Sequence, residues 1–199
     1  MGTMTFDIWS VLILAAVAIG AGAAMWALIP RWHGIPPTSS RPKWIRKALD
    51  AADLCPGQVV YDLGAGDGAV LTIAAKEYGA QSVGYEIEPL HCVAAWLRAL
   101  FNGVVGRVSV RRRDLYAADV ERADVVFVHL NPTIVENLRI SLPPKLRPGT
   151  HIVSLDFPFE GWEPSHMDIG YLIFAYEMPP QPGSLESYLK KELDIAQPS

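Results

Sequence analysis

The chain has 199 residues, half of them hydrophobic and 19% charged, and its formal net charge at pH 7 is −4. This length suits one compact domain with an appendage rather than two full domains, and the acidic balance gives no reason to expect a nucleic-acid partner. The two cysteines, Cys55 and Cys92, lack the spacing of metal ligands, so we expect no metal site.

The first feature along the chain is an apolar segment, residues 8–30, that carries no charged side chain. About 20 apolar residues are enough to cross the hydrocarbon core of a bilayer as a helix. The alternatives are a cleaved signal peptide, which would begin with basic residues, and a buried core helix. We expect residues 1–30 to form a single transmembrane helix that anchors the protein in a membrane.

Basic residues follow this segment and none precedes it; they are Arg31, Arg41, Lys43, Arg46 and Lys47. An excess of lysine and arginine marks the cytoplasmic side of a membrane span. The sequence therefore predicts a single-pass membrane protein whose main domain lies on the cytoplasmic side.

Proline and serine are frequent in residues 34–42, which predicts an extended linker, and helical spacing of apolar residues predicts a helix over 43–54. We expect residues 31–55 to form the linker and this helix, residues 56–180 the main domain, and residues 181–199 a tail with a short helix.

Within the main domain, short apolar runs alternate with helical segments. Strands are predicted at residues 59–63, 82–86, 107–111, 124–130 and 151–157, and helices at 68–78, 88–102 and 132–146. Apolar strands separated by helices indicate a parallel sheet with helices on both faces. No crossover helix fits between residues 158 and 177, so a possible strand at 166–169 and a clear one at 171–177 predict an antiparallel edge. The fold class is α/β, of the Rossmann-like kind.

A glycine-dense turn joins the first strand to the first helix of this domain, in the sequence VVYDLGAGDGA. The residues that we expect to contact a cofactor here are Asp62, Gly64, Ala65, Gly66, Asp67 and Gly68. Glycine allows a tight turn and a close approach of a ligand to the backbone. The same residues also satisfy the dinucleotide fingerprint G-x-G-x-x-A, so the glycine pattern alone leaves the cofactor open.

Charge distinguishes the two cofactors. The carboxylates of Asp62 and Asp67 would repel a pyrophosphate, whereas they suit S-adenosylmethionine, which carries an ammonium and a sulfonium group. Glu86, at the end of the second strand, is placed to accept hydrogen bonds from ribose hydroxyls, and such an acid is common to both cofactors. We expect S-adenosylmethionine as the cofactor.

Asp114 and Leu115 follow the third strand directly. At this position they would lie at the edge of the adenine ring, with Asp114 as the acceptor for the exocyclic amine. The alternative is that Asp114 caps the amino end of a short helix.

The motifs DLGAGDG, GYEIEP and RRDL resemble those of the class I, seven-strand methyltransferases. More narrowly, IPPTSSRP, LRPGTHIVSLDF followed by GWEP, and AYEMP are similar to segments of the membrane-anchored lysine methyltransferases that modify the ATP synthase c-subunit and the adenine nucleotide translocase, and of their prokaryotic relatives. The resemblance covers residues 34–179. It implies that residues 56–180 are an S-adenosylmethionine-dependent methyltransferase domain acting on a protein lysine. Two residues depart from the family pattern. Relatives usually carry a basic residue directly after the glycine turn, where this chain has Ala69, and the second departure is Asn131, before the proline that follows the fourth strand.

Candidate residues for the acceptor follow the fourth and fifth strands. Asn131 and Pro132 resemble half of the N-P-P-aromatic motif of amino-methylating enzymes, in which the asparagine orients the target nitrogen. The alternative is a helix cap followed by proline at the first helical position. Asp156 is a second candidate for positioning the acceptor. His129 could act as a base, although a histidine that faces the core is the alternative.

The leading hypothesis is a protein-lysine methyltransferase that acts on a membrane or membrane-adjacent protein. A second hypothesis changes the acceptor to a lipid, a quinone or a small amine at a membrane surface. A third is a non-catalytic module that binds the cofactor, and a fourth is a nicotinamide-dependent reductase, which the carboxylates of the glycine turn disfavour.

Overall fold

The main unit of the chain is built on a seven-stranded mixed sheet. The computed structural model describes residues 7–32 and 40–196. The strands of the sheet are β1 (Val59–Leu63), β2 (Gln81–Glu86), β3 (Val108–Arg112), β4 (Val125–Val128), β5 (His151–Leu155), β7 (His166–Asp168) and β8 (Ile173–Glu177). Their spatial order is β3-β2-β1-β4-β5-β8-β7. The first five strands pair in parallel, and β8 pairs antiparallel with both β5 and β7. The predicted parallel sheet and its antiparallel edge are both confirmed.

Helices cover both faces of this sheet. They are α2 (Pro42–Ala51), α3 (Ala69–Glu77), α4 (Pro89–Phe101), α5 (Pro132–Ser141) and α6 (Leu185–Ala196). Buried residues of α2 and α3 pack with one face of the sheet, and those of α5 pack with the other. This two-sided burial explains why β1, β4 and β5 are almost continuously apolar, since neither face of a central strand meets water.

A small second sheet, β6 (Trp162–Glu163) paired with β9 (Gln181–Pro182), was not predicted. Strands of two residues are too short for a period of two to be visible in a sequence. The ring of Trp162 is buried and stacks on Phe159 with 4.8 Å between ring centroids, so it packs beneath this small sheet.

The N-terminal apolar segment folds as one helix, α1 (Ile8–Trp32), which belongs to a unit separate from the main one. A bilayer span requires about 20 predominantly apolar residues in one helix. Among the residues that the structure describes, no helix combines the length and the apolar character needed to cross a membrane. The predicted single-pass membrane location is therefore wrong, and the predicted transmembrane anchor and the membrane partnership through it have no support from the described residues. The predicted linker at residues 34–42 lies largely outside the described residues.

The turn between β1 and α3 depends on glycine at the position before the helix. Gly68 has φ +75°, and a Cβ atom at this position would lie 2.7 Å from the Ala95 Cβ atom and 2.8 Å from its Cα atom. Gly66 also has positive φ, +51°, but a Cβ atom there would meet no atom within 4 Å. Both residues need a left-handed backbone, and only Gly68 also needs the missing side chain, because α4 packs directly against it.

We expect Gly68→Ala to lower the free energy of unfolding more than Gly66→Ala does. The left-handed backbone alone costs an alanine about 1–2 kcal/mol, and overlap with Ala95 raises the loss at Gly68 to about 2–5 kcal/mol. Urea unfolding of the two variants measures the difference. Equal losses would contradict the close packing of α3 on α4.

Candidate active site

The carboxyl ends of the parallel strands meet at one edge of the sheet, and the candidate residues lie there. β1 lies between β2 and β4, so the chain runs outward from it in one direction to β3 and in the other to β5. In open α/β sheets, ligands bind at the carboxyl edge where the strand order reverses in this way. The glycine turn after Leu63 occupies this point.

The glycine turn is held to the end of β2 by hydrogen bonds. The backbone N–H groups of Gly64 and Ala65 both donate to the Tyr85 carbonyl, at 2.9 and 3.0 Å. The Gly66 N–H donates to the Glu86 carboxylate at 2.8 Å. The other carboxylate oxygen of Glu86 accepts from the N–H groups of Ile87 and Glu88, both at 2.9 Å. Glu86 is therefore fixed in place as an acceptor whose side chain is 11% exposed.

Asp62 lies on β1, one residue before its end, and is only 3% exposed. Burial and, to a lesser extent, the nearby carboxylates of Glu86 and Asp67 together raise the pKa of its carboxyl group to about 8. No hydrogen bond from a described residue offsets these effects. Since an unfolded chain loses this proton near pH 3.8, the free energy of unfolding falls as pH rises from there towards 8. A cation next to Asp62 would relieve this cost.

Asp67 is also at the turn, but its carboxylate is paired. It forms an ion pair with Arg98 of α4 and accepts a hydrogen bond from the Ala69 N–H at 3.2 Å, and Arg98 also donates to the Asp67 carbonyl at 2.9 Å. Sequence reasoning missed Arg98, because a partner 31 residues away leaves no local signal. Because Asp67 is paired with Arg98, the preference of the turn for a cationic ligand rests on Glu86 and on Asp62, whose charged form a cation would stabilise.

Asp114 and Leu115 follow β3 at the same edge of the sheet. One oxygen of the exposed Asp114 carboxylate accepts from the Tyr116 N–H at 2.9 Å, and so caps a short 3-10 turn, Leu115–Ala117. Leu115 is half-buried and packs on the core. The capping alternative is thus observed, and the second carboxylate oxygen of Asp114 has no partner among the described residues.

Asn131 and Pro132 form the start of α5. The Asn131 side-chain oxygen accepts from the Ile134 N–H at 3.0 Å, and Pro132 occupies the first helical position. Asparagine at this position and proline at the next are typical of a helix start. Both residues are exposed at the carboxyl edge, so the structural role of Asn131 is observed and leaves its amide nitrogen free of partners among the described residues.

Three residues from separate parts of the chain meet beside the ends of β4 and β5. His129 Nε2 lies 2.8 Å from an oxygen of Asp156, and His129 Nδ1 lies 2.6 Å from the hydroxyl oxygen of Ser40. The side chains of His129 and Asp156 are 13% and 31% exposed. Sequence reasoning named His129 and Asp156 separately and missed Ser40, whose proximity to them depends on the fold. We refer to Ser40, His129 and Asp156 as the histidine cluster.

Within residues 7–32 and 40–196 there is no group of three or more side chains that could hold a metal ion. The carboxyl edge has two halves. One is acidic, with Asp62 and Glu86 around the glycine turn, and the other contains the histidine cluster. Such an edge can accept a cationic ligand beside a group able to take up a proton.

Comparison with known proteins assigns the chain to a family. The model of the ANTKMT methyltransferase domain matches residues 62–166. A protein-lysine N-methyltransferase of Saccharolobus islandicus is 34% identical over 134 residues, which are 67% of this chain and 83% of that protein. The adenine nucleotide translocase lysine N-methyltransferase of Mus musculus is 30% identical over 163 residues, which are 76% of this chain and 70% of that protein.

A solved structure shares the fold of this chain and identifies the cofactor. The crystal structure of an RNA methyltransferase from Salinibacter ruber, in complex with S-adenosyl-L-homocysteine, has 36% sequence identity and a TM-score of 0.69. The match covers 74% of this chain and 96% of that one. S-adenosyl-L-homocysteine is the product that remains when S-adenosylmethionine gives up its methyl group. The chain belongs to the ANTKMT methyltransferase domain family and is an S-adenosylmethionine-dependent methyltransferase.

Proposed function

We propose that this enzyme transfers the methyl group of S-adenosylmethionine to the ε-amino group of lysine in a protein. The observation that carries the proposal is the likeness of most of the methyltransferase domain to two relatives that are both named as lysine methyltransferases of proteins. The relative of known structure is named as an RNA methyltransferase, so RNA is the second candidate acceptor. A lipid, a quinone or a small amine has no support among these relatives.

The residues around the glycine turn fit the proposed cofactor. Asp62 is a buried carboxyl without a hydrogen-bond partner among the described residues, and a sulfonium or ammonium group would stabilise its charged form. Glu86 is oriented by three backbone N–H groups, and the oxygen that accepts from Gly66 keeps a lone pair for a ribose hydroxyl. The backbone of Gly64, Ala65, Gly66 and Gly68 allows close approach, and Asp67 would orient the turn through Arg98.

Asp114 and Leu115 remain our candidates for contact with the adenine ring. Asp114 caps a turn with one oxygen and has a second oxygen for an amine donor, so the capping role and the proposed binding role are compatible. Leu115 supplies apolar surface beside it.

The cofactor supplies an activated methyl group, and the protein must align a neutral amine with it. Alignment of reacting atoms and exclusion of water provide much of the acceleration of such a displacement. We propose that Asn131, Pro132 and Asp156 position the acceptor, since they lie at the ends of β4 and β5 beside the glycine turn. Residues 56–180 would form the catalytic domain, residues 31–55 the segment leading into it, and residues 181–199 a tail.

Glu86→Gln is expected to weaken binding of S-adenosylmethionine about 10- to 100-fold, because hydrogen bonds to a charged group contribute about 1.5–3 kcal/mol. Isothermal titration calorimetry measures the affinity, and circular dichroism checks the fold. The matched control is Glu88→Gln, an exposed acid two residues away, which should bind like the wild type. Equal affinities for Glu86→Gln and the wild type would remove the ribose assignment.

Cofactor binding at pH 7 is expected to release a proton. Asp62 is protonated below about pH 8 in the free protein, and a bound cation favours its ionised form, so affinity should rise with pH up to about 8 and then level off. Calorimetry in buffers of different ionisation enthalpy counts the proton. Asp62→Asn should abolish the release, whereas Asp67→Asn, which alters an acid already paired with Arg98, should retain it. Proton release by Asp62→Asn would refute the placement of the cation.

The acceptor is tested with tritiated S-adenosylmethionine and a cell lysate from the source organism, followed by acid hydrolysis and separation of amino acids. We expect label in Nε-methyllysine, resistant to ribonuclease. Polylysine and polyarginine serve as a matched pair of defined acceptors, and only polylysine should be labelled. Label that ribonuclease removes would support the RNA alternative and refute the proposed function.

A further inference from the structure

The histidine cluster joins three separate parts of the fold. Ser40 precedes α2, His129 follows β4, and Asp156 follows β5. The two hydrogen bonds, 2.6 Å from Ser40 and 2.8 Å to Asp156, use both ring nitrogens of His129. Contacts between residues 89 and 27 positions apart arise only from tertiary structure.

The partners of His129 determine the tautomer of its neutral ring. An ionised carboxylate only accepts hydrogen bonds, so Nε2 carries the hydrogen that is donated to Asp156. Nδ1 is then a lone pair, and the Ser40 hydroxyl must donate to it. The oxygen of Ser40 keeps lone pairs for a further donor. The cluster is therefore polarised in one direction, towards uptake of a proton at Nδ1.

The backbone at Asp156 is in a conformation that needs support. Its φ is +69°, a left-handed value that costs a residue other than glycine about 1–2 kcal/mol. The Asp156 N–H donates to the Leu172 carbonyl at 2.9 Å, which holds this conformation in place. Aspartate tolerates such values better than most residues, and strained positions of this kind are frequent at functional sites.

The histidine cluster lies next to the proposed cofactor site. Val128, at the end of β4, pairs with Leu63, which leads directly into the glycine turn. A Cβ atom at Gly64 would lie 2.8 Å from the Leu130 side chain, so the residue after His129 packs on that turn. A proton acceptor at His129 is thus adjacent to the place where a methyl group would be delivered.

We propose that Ser40, His129 and Asp156 form a proton relay that converts the acceptor lysine from its ammonium to its neutral form before methyl transfer. This inference rests on the proposed function. The lysine Nζ gives a proton to the Ser40 oxygen while the Ser40 hydroxyl proton moves to His129 Nδ1, and Asp156 stabilises the imidazolium that results. The neutral Nζ then forms a bond to the methyl carbon as the bond from that carbon to sulfur breaks, and His129 later returns its proton to solvent.

Charge around His129 favours this direction of transfer. Asp156 is the acid that faces the ring from the end of β5, and no other carboxylate of the described residues lies within 4.0 Å of a ring nitrogen. Ser40 faces it from the segment before α2 and adds no charge. The imidazolium is thus stabilised by one nearby carboxylate, which the substrate amine does not need to approach.

The relay predicts a specific pH dependence. A lysine with a pKa of about 10.4 is neutral in roughly one molecule of 2,500 at pH 7, so an enzyme without a proton acceptor gains rate steadily up to about pH 10. With the relay, kcat/KM for polylysine should level off once His129 is neutral. His129→Gln should lose about 100- to 1,000-fold at pH 7, and this deficit should shrink about tenfold for each pH unit above it.

Matched variants separate proton transfer from packing. Ser40→Ala removes the relaying hydroxyl and should reproduce the steep pH dependence, whereas Ser40→Thr keeps a hydroxyl and should restore the plateau. His166→Gln changes an exposed histidine of β7 and should leave the profile unchanged. A purely structural role of His129 would lower kcat/KM by the same factor at every pH.

A second measurement does not depend on catalysis. Nitrogen-15 nuclear magnetic resonance of the imidazole rings shows which ring nitrogen of His129 carries the hydrogen in the protein without cofactor. In the wild type we expect this hydrogen on Nε2, facing Asp156, and Asp156→Ala, which removes the acceptor, should shift the ring towards the tautomer with the hydrogen on Nδ1. A hydrogen on Nδ1 in the wild type would refute the polarisation by Asp156.

The two proposals fail in different ways. If the wild type binds S-adenosylmethionine but forms no methyllysine on polylysine or on lysate proteins, the proposed function is refuted and the relay with it. If the wild type forms methyllysine and the pH profiles of the wild type and His129→Gln are parallel, the relay alone is refuted.

Discussion

The hydrogen bond from the Gly66 N–H to the Glu86 carboxylate connects the two elements on which the site depends. It joins the turn after β1 to the end of β2, and the Tyr85 carbonyl reinforces the junction by accepting from Gly64 and Ala65. A carboxylate held by three N–H groups stays in one orientation without any ligand. The glycine turn and the Glu86 carboxylate are therefore largely ordered before a ligand binds, which lowers the entropic cost of binding.

The cost of this arrangement falls on Asp62. Its carboxyl group is buried near two other acids, and its pKa is raised to about 8 as a result. Burial of a carboxyl without a hydrogen bond is unfavourable in a fold that has no use for it. Placing it where a cationic ligand would bind makes ligand binding and relief of this cost the same event. In the site that we propose, the raised pKa of Asp62 therefore couples loss of its proton to binding of the cofactor.

The histidine cluster adds a different property to the same edge. The proposed cofactor brings positive charge and a reactive methyl group, but it does not remove a proton from an amine. In the relay that we propose, Ser40, His129 and Asp156 supply an imidazole nitrogen that takes up this proton through the Ser40 hydroxyl. The division of the edge follows from the strand order, since β1 and β2 supply the acids, and His129 and Asp156 follow β4 and β5.

The sequence by itself determined the fold class, and it placed the strands and helices to within a few residues, because apolar periodicity is a local property of the chain. It also determined the glycine turn and the cofactor, because Asp62, Gly64, Gly66 and Glu86 lie in two short segments. Tertiary structure alone decided that Asp67 pairs with Arg98, that Ser40 reaches His129, and that β6 and β9 form a small sheet. It also overturned the predicted single-pass membrane location, which composition had favoured. The physical reason is range: backbone patterns are local, whereas the partner of a charged or polar side chain depends on which distant segments the fold brings within about 3 Å.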